Sequence, residues 1–119
     1  KSSKHVTVEI VKDTPDERVY AVEGMIYFAS VSDFAEHFQA KSDAKTIVID
    51  FEKARISDHS GIEALQAMSS RYRAVGKTLR LRHLSADCRK MLQRADKLVE
   101  IEVAPDDPDY TVARLREAK

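Results

Sequence analysis

Cysteine occurs once in the chain, at Cys88. One thiol cannot build a disulfide framework within a chain, and that scarcity fits a reducing compartment. Glycine is nearly as rare, with only Gly24, Gly61 and Gly76, so there is no glycine-rich loop to cradle a phosphate. The four histidines, His5, His37, His59 and His83, have no ligand spacing, and no second cysteine could help Cys88. Metal binding is therefore not expected from sequence. No apolar run approaches the length that crosses a bilayer, and no signal-peptide pattern is present. An excess of one charge is missing too, since 20 Lys and Arg balance 20 Asp and Glu. That balance argues against a nucleic-acid partner, which would favour a basic chain. The chain opens on Lys1 rather than methionine, so a piece of a longer polypeptide is expected, with trimming as the other explanation.

What is present points to one domain of 119 residues, long enough to bury about two-thirds of its unfolded surface without staples. Its centre is Thr46 to Leu65. Ile47, Val48, Ile49 and Phe51, interrupted only by Asp50, form an apolar run that suits a central strand covered on both faces. After a short polar connection, Ser60-Gly61-Ile62-Glu63 fits a capping box, and Ile62, Leu65, Met68, Tyr72 and Val75 recur at helical spacing. A buried strand, a tight turn and a helix start presented by Asp58-His59-Ser60-Gly61 are thus expected. Outside the carboxyl end of a central strand is where open α/β sheets place their ligands.

Around that centre, Val6, Val8 and Ile10 alternate with polar residues, and Thr14-Pro15-Asp16-Glu17 supplies a turn to a second strand at Val19 to Val22. Gly24 to Ser30 reads as a loop with an aromatic middle. Ser30 or Ser32 then caps a helix carrying Val31, Phe34, Ala35 and Phe38. Gly76 ends the helix that begins near Ser60. Thr78 to Leu84 alternates Leu79 and Leu81 with Arg80 and Arg82, and Ser85 caps a helix with Cys88, Met91, Leu92, Ala95 and Leu98 on one side. Val99, Ile101 and Val103 alternate with Glu100 and Glu102. Were those two strands neighbours, arginines would sit beside glutamates. Pro105 and Pro108 break the chain before an amphipathic helix at 109–119, and residues 1–5 read as a loose end. The expected architecture is α/β: an opening hairpin followed by parallel strands, about five in all, with about four helices.

The order of elements, with Ile49-Asp50-Phe51 and the run from Ile56 to Leu65, resembles the STAS domain. That family is shared by sulfate-permease-type (SulP) anion transporters and bacterial anti-sigma factor antagonists. The resemblance extends from about Val6 to the last helix, and its most specific element is the Asp-x-Ser-Gly turn at Asp58, Ser60 and Gly61. In the antagonists, the serine matching Ser60 is phosphorylated by a partner kinase. Here His59 replaces the usual small hydroxyl residue, and Tyr27 stands where antagonists place an acidic residue. Tyr27-Phe28-Ala29-Ser30-Val31 and Asp58-His59-Ser60 are instead similar to the transporter branch. The resemblance implies a non-catalytic cytoplasmic regulatory domain, carboxy-terminal to a transmembrane portion of the same polypeptide at the plasma membrane. A free-standing antagonist switched at Ser60 is the alternative.

Ser60 reads first as a helix cap and second as a phosphorylation or anion site, where first-turn amides would face a phosphate. Asp58 either caps the turn or repels such a phosphate. Adjacent Asp58, His59 and Ser60 cannot form a hydrolase relay, whose members must converge from separate elements. No cofactor is implied, although nucleotide binding has been proposed for the family and would belong at the Ser60 helix. Tyr27 and Phe28 either plug the core or contact a membrane domain or a second copy in a homodimer. Residues 71–97 hold nine cations against Asp87 and Asp96. They read first as a solvated face and second as a surface for anionic lipid or an acidic partner.

Overall fold

The computed structural model describes residues 6–95, 100–103 and 107. The elements are β1 (Thr7–Asp13), β2 (Glu17–Ile26), α1 (Val31–Ala35), a 3₁₀ turn (Ala40–Ser42), β3 (Thr46–Ile56), α2 (His59–Ala74), β4 (Thr78–Arg82), α3 (Ala86–Ala95) and β5 (Glu100–Glu102). One sheet takes the strands in chain order, β1 to β5. β1 and β2 form the antiparallel opening hairpin, and β2 to β5 run parallel. Five strands and the hairpin match expectation. Three α-helices lie among the described residues against about four expected, and the helix expected at 109–119 falls outside them, as do residues 1–5.

Right-handed crossovers between parallel strands taken in order place every connecting helix on the same side of the sheet. The β3 residues Ile47, Ile49 and Phe51, and Ala54 and Ile56 beyond a bulge, accordingly join Phe34, Leu65, Met68, Tyr72, Cys88 and Leu92 in one buried cluster. Val19 and Val48, paired across β2 and β3, are buried but stand apart from that cluster. The face opposite the core carries charge ladders instead. Arg80 pairs with Glu100 at 2.8 Å and Arg82 with Glu102 at 2.6 Å, in the register expected from their alternation.

Two strands run longer than the hydrophobic pattern indicated. β2 continues through Gly24, Met25 and Ile26, which were expected to be loop, and β3 continues to Ile56. Both extensions pair with each other, from Gly24 with Ala54 to Ile26 with Ile56. Ladder bonds to a neighbour override the weak strand preference of a glycine. β4 stops at Arg82, short of Leu84. α1 ends at Ala35, so Phe38 lies beyond it, yet its ring still packs on Tyr20 at 4.7 Å and Phe34 at 5.1 Å.

The amino ends of the strands are locked by polar groups whose pairing the sequence did not reveal. The buried carboxylate of Asp43 accepts from Arg18 Nη1 at 2.8 Å, Tyr20 Oη at 2.8 Å and Tyr72 Oη at 2.6 Å. The Lys77 ammonium donates to the carbonyls of Ala40, Lys41 and Asp43 at 2.6, 3.1 and 2.7 Å. Opposite charge and complete hydrogen bonding let Asp43 stay buried. These bonds tie the amino ends of β2, β3 and β4 to one another and to α2.

Candidate functional site

β2 and β3 are parallel neighbours, so the segments that leave them emerge side by side at the same edge of the sheet. That topology joins two stretches about thirty residues apart in the chain. Ser57 N donates to Ile26 O at 3.0 Å, fastening the two strand ends. Beyond this bond, Asp58 takes an extended conformation and becomes the N-cap of α2. Its Oδ1 accepts from Ser60 N at 3.0 Å, and its Oδ2 accepts from Phe28 N at 3.1 Å. One carboxylate therefore caps the helix and pins the aromatic loop to it.

This arrangement corrects the expected capping box. Asp58, not Ser60, is the cap, and Ser60 is the second residue of the helix. A carboxylate placed two residues before an amide can accept from it only if its own backbone is extended, which Asp58 satisfies with φ −153° and ψ 179°. Glu63 consequently stands beyond the position from which a capping-box side chain reaches back. Ser60 remains at the helix start and half-buried, His59 is exposed beside it, and Gly61 is buried under the first turn. A Cβ at Gly61 would lie 2.6 Å from Ile56 Cγ2 and 3.3 Å from Ile26 Cγ2. Gly61 is thus there for close approach: only a bare backbone lets α2 begin so near the ends of both strands.

The loop facing this helix start has its own internal fastener. Ser30 is fully buried, and its Oγ donates to Met25 O at 2.8 Å and accepts from Tyr27 N at 3.1 Å. It occupies the N-cap position of α1 without making a side-chain cap bond, contrary to the capping role expected of it. A hydroxyl satisfied within its own turn is unavailable to the helix. The result is a tight loop that presents its apolar groups outward. Phe28 is 74% exposed, its ring set edge-on to Tyr27 at 5.4 Å, and Met25 is exposed as well. Phe28 therefore does not plug the core, while Tyr27 is half-buried.

Elsewhere, Ser85 caps α3 as expected, its Oγ accepting from Cys88 N at 3.2 Å. Cys88 is buried, and burial pushes its thiol pKa up, which suits an inert side chain. Within 71–97, Arg80, Arg82 and Arg89 pair with Glu100, Glu102 and Asp107, while Lys77 holds backbone carbonyls. Those four cations are engaged inside the fold. Donor atoms of Asp50, Glu52 and His83 come within 4.8 Å of one another, a grouping that histidine spacing could not reveal because it depends on strand register. No helix among the described residues is long and apolar enough to cross a membrane.

Comparison with known proteins agrees with this geometry. The STAS domain family matches residues 6–109. A Bacillus subtilis (strain 168) protein named "Putative sulfate transporter YbaR" is 30% identical over 89 residues, 73% of this chain and 19% of that protein. The chain therefore spans about one-fifth of that relative's length. The crystal structure of an antisigma-factor antagonist STAS domain from Rhodobacter sphaeroides is 38% identical, covering 64% of this chain and 82% of the other, with a TM-score of 0.54. The murine Solute Carrier 26 family member A9 anion transporter shares the fold, with 19% identity and a TM-score of 0.63 over 91% of this chain and 19% of its own. With the fold, the Asp58-Ser60-Gly61 turn and the family match over most of its length in agreement, the chain belongs to the STAS domain family.

Proposed function

We propose that this domain is a non-catalytic regulatory and interaction module of a SulP-type anion transporter, working on the cytoplasmic side of the membrane. The observation that carries this reading is the joint surface in which Asp58 ties the exposed Phe28 loop to the start of α2. An exposed aromatic held by a rigid frame is a suitable anchor for another protein surface. Both carboxylate oxygens of Asp58 are engaged with backbone amides, which supports a framing role over acid–base chemistry. The 30% identity to the Bacillus subtilis relative favours the transporter branch. The partner would be the transmembrane portion of the same polypeptide. Two measurements test this. The reading frame upstream of Lys1 should encode hydrophobic spans, and an immediate start codon with none would remove the proposal. In the intact polypeptide, Phe28→Asp should depress anion uptake while the domain stays folded, whereas unchanged uptake would count against this surface.

The 38% identity to the Rhodobacter sphaeroides domain supports a second reading, an antagonist switched at Ser60. A phosphate at the second residue of a 16-residue helix would be favoured by the helix dipole and disfavoured by Asp58 nearby. Kinases encoded beside the gene should then add one phosphate to wild type and none to Ser60→Ala. Wild-type protein that stays unmodified would exclude this switch.

A further inference from the structure

On the face of the sheet opposite the core, β3 and the residue just beyond β4 bring three metal-binding side chains to one place. Asp50 of β3 is in register with Arg82 of β4. Strand alternation would send the next residue, His83, toward the helix-covered side. His83 instead takes a left-handed conformation, φ 64°, and its ring turns back so that Nδ1 lies 2.8 Å from Asp50 Oδ1. Glu52 arrives by a second irregularity. The β2–β3 register passes from Ala21–Asp50 to Glu23–Lys53, so β3 carries one extra residue there. Within that bulge Glu52 N donates to Asp50 Oδ1 at 2.9 Å.

We propose that Asp50, Glu52 and His83 bind a divalent transition-metal ion of the zinc or manganese type, with water completing its shell. One donor atom from each residue lies within 4.8 Å of the other two. Donors that share an ion at bonds of about 2.1 Å sit about 3.0–3.4 Å apart, so an ion would replace the Asp50–His83 hydrogen bond and draw the three donors to that spacing. An imidazole with two carboxylates is a mixed nitrogen and oxygen set, the kind such ions accept. Beyond the three donors, the surroundings add Glu9 and Glu23 against Lys53. A neighbouring cavity of about 310 Å³ is lined by Glu9, Glu23, Asp50 and Glu52 against a single ammonium, Lys53. Four carboxylates and one cation leave a local charge of minus three, which concentrates positive ions. Arg82, in register with Asp50, is bound to Glu102 at 2.6 Å. The site stands apart from the Asp58 turn, so the proposal does not depend on the transporter reading.

Calorimetric titration of tag-free, metal-stripped protein with zinc chloride and with manganese chloride tests it. Wild type should take up one ion of at least one metal per chain, and Glu52→Gln and His83→Gln should each weaken binding at least tenfold. His37→Gln, which alters an exposed histidine elsewhere, should leave the affinity unchanged. In long-range proton–nitrogen spectra of the histidine rings, His83 should respond to the first increments of zinc while His37 does not. No stoichiometric uptake of either metal overturns the proposal. So does wild-type affinity in both variants, which would mean an adventitious ion and a plain His83–Asp50 hydrogen bond. Should His83→Gln lose its fold by circular dichroism, the exposed Glu52→Gln and the ring spectra decide.

Discussion

Replacing Gly61 with alanine adds one methyl group where α2 comes nearest the sheet. The added Cβ would sit 2.6 Å from Ile56 Cγ2, whereas carbon atoms attract best at about 3.5 Å or beyond. Relief requires the helix start and the strand end to separate by roughly 0.9 Å, the difference between those distances. The methyl of Ile56 hangs on its branched Cβ and cannot swing aside alone, and Ile26 Cγ2 at 3.3 Å blocks the other direction. Overpacking of this kind costs about 1–3 kcal/mol. The gain in helix propensity from glycine to alanine is at most about 1 kcal/mol and less in a first turn. The net expectation is a loss of about 1–2 kcal/mol, read as a lower urea midpoint with an unchanged m-value by far-ultraviolet circular dichroism. A variant as stable as wild type, or more so, would show that close approach is not why glycine stands there.

Other perturbations bear on the opposite end of the sheet and on the core. Asp43→Ala should cost about 2–5 kcal/mol in the same urea assay, because it leaves two phenols without their acceptor while Arg18 keeps only Asp13; a loss below about 1 kcal/mol would contradict that network. Burial, then the hydrogen bond to Asp43, raises the pKa of Tyr72, and burial likewise raises that of Tyr20. A raised folded pKa means stability that is complete below the ordinary tyrosine value near 10 and is lost as pH climbs past it. Tyr72→Phe should therefore flatten the alkaline limb of the stability curve, and an unchanged limb would refute the assignment. Cys88 should react with a disulfide reagent only after unfolding, so fast modification under native conditions would be inconsistent with its placement.

Much of this could be read from residues because local rules and the fold agreed. The apolar run of β3, the stop at Gly76, the Ser85 cap and the arginine and glutamate rows all lie where periodicity and turn chemistry put them. What escaped was decided by contacts distant in sequence. Gly24 and Met25 read as loop because their strand character comes from pairing with β3. Ser60 looked like a cap because Ser-x-x-Glu is a good local signal, and it lost to an extended Asp58 that also had Phe28 to hold. Ser30 was absorbed by its own turn. Asp43 and His83 gave no local sign, since one gathers partners from β2 and α2 and the other depends on a left-handed residue.

The joint surface itself is tested most directly by amide hydrogen exchange in wild type and Asp58→Ala, followed by NMR. One carboxylate holds both segments, so the substitution should speed exchange at Phe28 and Ser60 together, while amides of the core strands such as Ile49 keep their protection. A Phe28 amide that exchanges at its wild-type rate once the carboxylate is gone would mean that the loop and the helix are two separate surfaces.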